Sequence, residues 1–134
     1  MHIPDGFVTT GTAAATWLAS AGSLGYAVRR VNRELTERQV PLMGVTAAFI
    51  FAAQMLNFPI GGGTSGHFLG AAAVTALLGP WRACLAMSLV VTLQALVFSD
   101  GGLTALGTNI GNMALIGCFG SYVVMRALRA LLPQ

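Results

Sequence analysis

The 134-residue chain has no lysine, only four acidic residues and only two cysteines, and its seven cationic side chains are all arginine. Charged residues make up 8% of it, against about a quarter in an ordinary soluble domain, while 55% is hydrophobic and the mean hydropathy is +0.74. That poverty of charge excludes a soluble globular domain and identifies an integral membrane protein. The formal charge of +3 is local and interleaved with apolar runs, which excludes nucleic acid as a partner and leaves a topology signal. Cys84 and Cys118 lie inside apolar stretches, far from any Cys-x-x-Cys spacing, so neither a disulfide framework nor a thiolate metal site is expected. No Gly-x-x-x-x-Gly-Lys-Ser/Thr phosphate loop occurs, so any ATP hydrolysis belongs to other chains. The first residues also lack a basic segment and a small-residue cleavage site, so Met1 is expected to remain the terminus.

What is present is a succession of apolar stretches, read as one all-α membrane domain over residues 1–134, a polytopic bundle of about five spans. The first runs from Phe7 to Val28, long enough to cross a hydrocarbon core of about 30 Å. Its charged sequel, Arg29 to Arg38, is expected to continue the helix by two or three solvated turns. The second runs from Leu42 to Phe58, with Gln54 and Asn57 three apart on one helical face. The third, Phe68 to Gly79, is too short for a full crossing, so the glycine-rich segment before it must enter the membrane, lining a cavity or buried in protein. The fourth runs from Ala83 to Phe98 and ends in a Ser99-Asp100-Gly101-Gly102 turn signal, and the fifth from about Asn109 to Val124. Small residues in every span suit close helix packing, and the scattered methionines suit core filling.

Alternating these spans gathers Arg29 to Arg38, Arg82, Arg126 and Arg129 on one side, which the positive-inside rule assigns to the cytoplasm. The amino terminus is then outside, with His67, Asp100 and Asn109, in a multi-pass protein of the inner (plasma) membrane. The opening residues, Met1-His2, carry specific chemistry. The Met1 amine, the deprotonated His2 amide and the His2 Nδ1 can chelate one metal through fused five- and six-membered rings, three nitrogens in one plane. Ionising an amide demands a metal that rewards strong in-plane nitrogen donors: Ni(II) or Cu(II), with Co(II) possible and Zn(II) less suited. A fourth nitrogen would complete the square, and the only other histidine is His67, at the end of Gly61-Gly62-Gly63-Thr64-Ser65-Gly66.

The opening MHIPDGF, the stretch FAAQMLNFPI running into GGGTSGH, the LLGPW turn and the segment FSDGGLTALGTNIGNM closely resemble the CbiM/NikM family. These are the substrate-binding (S) components of energy-coupling factor (ECF) transporters for nickel and cobalt. The matched stretches extend from Met1 to about Gly117. The resemblance implies metal ligands at Met1, His2 and His67 in a four-nitrogen plane. It also implies a membrane coupling subunit and two ATPase subunits as partners. Family members exceed two hundred residues and have about seven helices, so the last helices are expected to be absent here, or supplied by a second chain. The Pro4-Asp5 form of the opening looks like the nickel branch, with Co(II) as the alternative.

The function expected is capture of Ni(II) at the outer face, as transported substrate. Asp5, Asn57, Thr64 and Ser65 are the candidates to orient the imidazoles by hydrogen bonds. Each has a plainer role open to it: Asp5 can form a turn with Gly6, and Ser65 can satisfy loop backbone. Glycines let the loop close over the metal because they accept positive φ. Two rival classes were weighed. An intramembrane metalloenzyme needs an open coordination position and a nearby carboxylate base, and Asp5 and Asp100 are the only acids on that side. A metal-free structural subunit predicts that losing the His67 imidazole changes nothing.

Overall fold

A computed structural model describes residues 2–60 and 64–132, with Thr64 and Ser65 described by backbone alone. The first helix, α1 (Thr10–Glu34), starts where the Thr9 hydroxyl accepts from the Thr12 amide at 3.3 Å, and ends where Leu35 turns extended at ψ 126°. Its buried stripe is Ala13, Ser20 and Ala27 at sevenfold spacing, then Val31. It continues past Val28 into the arginine run, as expected, but only to Glu34, short of two full turns; arginines are good helix formers, and Arg30 and Glu34 pair at 3.2 Å one turn apart.

Helix α2 (Gln39–Met55) follows. It stops three residues short of the expected end because Pro59 biases the residue before it out of the helical region, and Leu56 has already left at ψ 80°. Asn57 therefore does not share a helical face with Gln54: Gln54 is fully buried, and Asn57 is exposed on the connecting segment. The glycine-rich segment is flanked by a short antiparallel hairpin, β1 (Phe58–Ile60) and β2 (Thr64–Gly66), in register Phe58 to Gly66 and Ile60 to Thr64. A Cβ on Gly66 would lie 2.8 Å from the Phe58 and Ile60 side chains, which explains the glycine.

Helix α3 (Ala71–Leu78) has only eight residues, because glycines with positive φ close both ends: Gly70 at 74° and Gly79 at 75°. Gly79 alone separates it from α4 (Pro80–Phe98), whose first position is the proline that tolerates a missing amide. At 1.5 Å per residue α4 rises about 28 Å, a full hydrocarbon thickness, whereas α3 covers about 12 Å. The chain from β2 to Gly70 makes up the difference, which carries His67 into the bundle. Helix α5 (Leu106–Leu131) is the longest, with a π-helical turn over Gly111–Ile116, and it starts a turn earlier and ends two turns later than expected.

α4 forms the axis. Ala83, Cys84, Met87, Val90, Val91 and Ala95 are buried among the other helices. The crossing of α1 and α5 is especially close: a Cβ on Gly107 would sit 2.5 Å from the Trp17 amide nitrogen. There the Ser20 hydroxyl donates to the Gly107 carbonyl at 2.7 Å, and the Thr16 and Thr108 hydroxyls meet at 2.9 Å. Phe7, Leu18, Val45, Phe49, Leu77 and Val123 are exposed around the outside. An apolar surface that extensive suits lipid and not water. The result is an all-α membrane bundle, with five helices and one small hairpin among the described residues; alternation could not reveal three-residue strands.

Candidate metal centre

The site begins with a strap, residues 2–5, that enters the end of the bundle where α4 stops. Ile3 is gripped on both sides of its peptide by one side chain: its amide donates to Asn109 Oδ1 at 2.8 Å and its carbonyl accepts from Asn109 Nδ2 at 3.0 Å. The Gly102 amide also donates to the Ile3 carbonyl, at 2.9 Å. Two residues on, the Asp5 carboxylate accepts from the amides of Leu103 (3.2 Å) and Thr104 (2.8 Å) and from the Thr104 hydroxyl. The Thr104 hydroxyl, followed by its amide, holds the Asp5 carboxyl below the usual carboxylate range. Close approach needs glycine in the facing loop: a Cβ on Gly101 (φ 112°) would lie 2.9 Å from the His2 Cβ, and one on Gly102 would collide with Asp5 backbone.

This grip buries the His2 side chain to 1% exposure and sets its ring against that of His67, with centroids 5.2 Å apart and planes 22° from parallel. His67 is itself buried, and its Nδ1 lies 2.9 Å from the Phe68 carbonyl. A carbonyl can only accept, so Nδ1 carries a proton, and in the neutral ring Nε2 keeps its lone pair. Nε2 is buried with no hydrogen-bond partner among the described residues, as are His2 Nε2 and Asp100 Oδ2. His2 Nδ1 is 3.2 Å from Asp100 Oδ1. Burial pushes the His2 pKa down, and Asp100 opposes that only in part. The net effect favours a neutral imidazole, the form that binds metal.

Behind the imidazoles lies a buried amide relay. Gln54 Nε2 donates to the Leu69 carbonyl at 2.9 Å, and Gln94 Nε2 donates to Gln54 Oε1 at 3.1 Å, with both glutamines fully buried. The Gln94 carbonyl accepts from the amides of Ser99 and Asp100, which closes α4 in a left-handed turn at Ser99 (φ 54°) and presents Asp100 to His2. One residue thus supports the His67 segment with its side chain and the Asp100 turn with its backbone.

His2 and His67, far apart in sequence, are brought together. Met1 and the side chains of Thr64 and Ser65 lie outside the described residues. Among the described residues neither Asp5 nor Asn57 hydrogen-bonds an imidazole. The Asp5 carboxylate accepts from Leu103 and Thr104, while Gly6 completes a turn beside it. Asn57 stays exposed on the segment before β1. Asn109, Asp100 and the Gln54–Gln94 pair do the supporting instead. Their signal was the rarity of amides and acids in an apolar chain, but only tertiary pairing reveals their partners. Among the described residues no group of three His, Cys, Asp or Glu is placed to hold a metal ion.

Residues 2–134 match the family described as CbiM, the cobalt uptake substrate-specific transmembrane region. The chain belongs to this family. It is 52% identical over 131 residues to a candidate metal transport protein of Haloquadratum walsbyi, covering 98% of the chain and 60% of that protein. It is 43% identical over 117 residues to the fused nickel transport protein NikMN of Rhodobacter capsulatus, covering 87% of the chain and 34% of the relative. To the cobalt transport protein CbiM of Acetohalobium arabaticum it is 32% identical over 135 residues, covering 98% of the chain and 53% of the relative. A crystal structure of a truncated transition metal transporter superposes with a TM-score of 0.94 at 40% identity, over all of this chain and 63% of that one. The chain thus spans between about a third and three fifths of the length of these relatives. It is a membrane component of a nickel and cobalt transport family, and these relatives are named as transport proteins.

Proposed function

We propose that the chain captures Ni(II), as transported substrate, at a plane of four nitrogens: the Met1 amine, the His2 amide and Nδ1, and the His67 Nε2. The observation that carries this reading is the His67 ring, buried against that of His2 with its Nδ1 beside the Phe68 carbonyl. In the neutral imidazole that contact leaves the Nε2 lone pair buried and without a partner among the described residues. An unpartnered buried polar group costs about 1–3 kcal/mol, which a bound metal would relieve. The Asn109 clamp orders the strap before metal arrives, and Gly101 and Gly102 let the facing loop close directly on it.

Binding ionises an amide and displaces protons from the amine, so capture releases protons and weakens in acid. A square-planar nitrogen field favours Ni(II); the same role for Co(II) is the alternative. The reading places the centre on the extracytoplasmic side of a multi-pass inner-membrane protein. The arginines lie at the other end, and a membrane coupling subunit with two ATPase subunits acts as partner in an ECF-type importer. Two matches support it: the fused nickel transport protein at 43% identity, and the transition metal transporter that superposes over the whole chain.

The test is metal content and visible absorption of carboxyl-tagged protein offered equal nickel, cobalt, copper and zinc. One equivalent of nickel with a square-planar absorption band is expected. Preferential, stoichiometric cobalt would move the assignment to the cobalt branch, and binding of neither metal would defeat it.

A further inference from the structure

At the end of the bundle opposite the metal centre, α1, α4 and α5 enclose a groove that the proposed metal capture does not use. Its apolar part, about 470 Å³, is lined by Gly22, Tyr26, Trp81, Leu115 and Phe119. It adjoins a recess of about 390 Å³ lined by Arg30, Glu34, Trp81, Arg82, Phe119 and Tyr122, and the two share Trp81 and Phe119. An aromatic ladder floors both: Tyr26 and Trp81 meet edge-on with centroids 5.2 Å apart, and Trp81 and Phe119 at 4.7 Å. Two smaller recesses flank the second, one lined by Arg29, Arg30 and Arg33, the other by Tyr122, Arg126 and Arg129. The rim therefore carries six arginines against one carboxylate, Glu34, which is paired with Arg30 at 3.2 Å. Arg82 is set in place by its Nε, which donates to the Leu78 carbonyl at 2.9 Å.

We infer that this groove binds an anionic phospholipid, with an acyl chain between Gly22 and Leu115 and the phosphate between Arg30 and Arg82. Guanidinium groups meet phosphate oxygens in paired hydrogen bonds, and basic pockets between membrane helices take anionic headgroups. Tyr26, Trp81 and Tyr122 sit where aromatic rings mark a membrane interface. A Cβ on Gly22 would meet no atom within 4 Å, so the apolar part opens directly toward the bilayer and a chain enters from the side. The charge of the rim selects an anion, and the depth of the groove selects one with a hydrocarbon tail.

The test uses the full chain carrying Trp17→Phe, which leaves Trp81 as the sole tryptophan, reconstituted in phosphatidylcholine bilayers. Traces of phosphatidylglycerol or phosphatidylcholine with brominated acyl chains are added at equal mole fraction. Brominated phosphatidylglycerol is expected to quench Trp81 on the order of tenfold more effectively, from about two arginine contacts. Arg30→Gln with Arg82→Gln brings the two lipids to parity. Gly22→Leu, which fills the apolar part without touching charge, also removes the excess. Equal quenching by both lipids in the parent, or an excess that survives both sets of changes, overturns the inference. So does loss of the excess to millimolar inorganic phosphate, or a co-purifying protein that shields Trp81 from both lipids.

Discussion

Replacing Asn109 with alanine tests whether the strap is held in order to bind metal. The side chain is 3% exposed and makes two hydrogen bonds to Ile3, at 2.8 and 3.0 Å. Alanine forfeits both and leaves a buried amide and a carbonyl short of partners, worth about 1–3 kcal/mol for the amide and about 1 kcal/mol for the carbonyl, which keeps Gly102. The sum, about 2–4 kcal/mol, falls on docking of the strap, because the helices pack without Ile3. If the docked strap is the binding-competent state, apparent affinity falls with its population, by about 30-fold to several hundredfold. Asn109→Asp keeps an acceptor for the Ile3 amide but loses the donor to its carbonyl, so its loss should be smaller. The assay is Ni(II) titration of carboxyl-tagged protein against a competing chelator, with helical content measured alongside. A folded Asn109→Ala protein that binds nickel within about threefold of the parent would refute the reasoning.

Three further expectations concern the scaffold. Gly107→Ala should lower the thermal midpoint by an amount equivalent to about 1–3 kcal/mol, since its Cβ would lie 2.5 Å from the Trp17 nitrogen, while Gly25→Ala, with open space around it, should be neutral. In the amide relay, Gln54→Leu strands the Leu69 carbonyl and the Gln94 amide, and the double change with Gln94→Leu should cost less than the sum of the singles, as read in a thermal double-mutant cycle. For Asp5 the folded carboxyl has the lower pKa, so the folded state binds fewer protons than the unfolded. Its contribution is complete above the unfolded value and is lost as pH falls through the lowered folded one. Protection of the Leu103 and Thr104 amides, measured against their intrinsic exchange rates, should therefore fall in acid, and Asp5→Asn should remove that pH dependence.

The membrane class and the order of the helices were legible in sequence, because charge depletion and apolar runs are one-dimensional signals. The helix ends were less so. The arginine run was expected to continue α1 and does so to Glu34, but arginines are good helix formers at the other end too, so α5 runs on to Leu131, while α2 yields to Pro59. The supporting groups were the least legible. Asp5 and Asn57 stood next to the motifs in sequence, yet orientation of a ring depends on neighbours in space, and those are Phe68 for His67 and Asp100 for His2. Asn109, more than a hundred residues from Ile3, is joined to it only by the crossing of α1 and α5 that Gly107 permits.

The central claim is that main-chain nitrogen at the start of the chain binds the metal together with the His67 imidazole. It is tested most directly by acetylating the terminal amine, which is selective in a chain without lysine, and measuring bound nickel and its visible absorption beside the parent and His67→Ala. Acetylation keeps both imidazoles and the fold but removes the lone pair of the amine. The account predicts stoichiometric nickel with a square-planar band in the parent, and loss of both in the acetylated protein and in His67→Ala. Nickel held equally by the parent and the acetylated protein, with an unchanged spectrum, would contradict it.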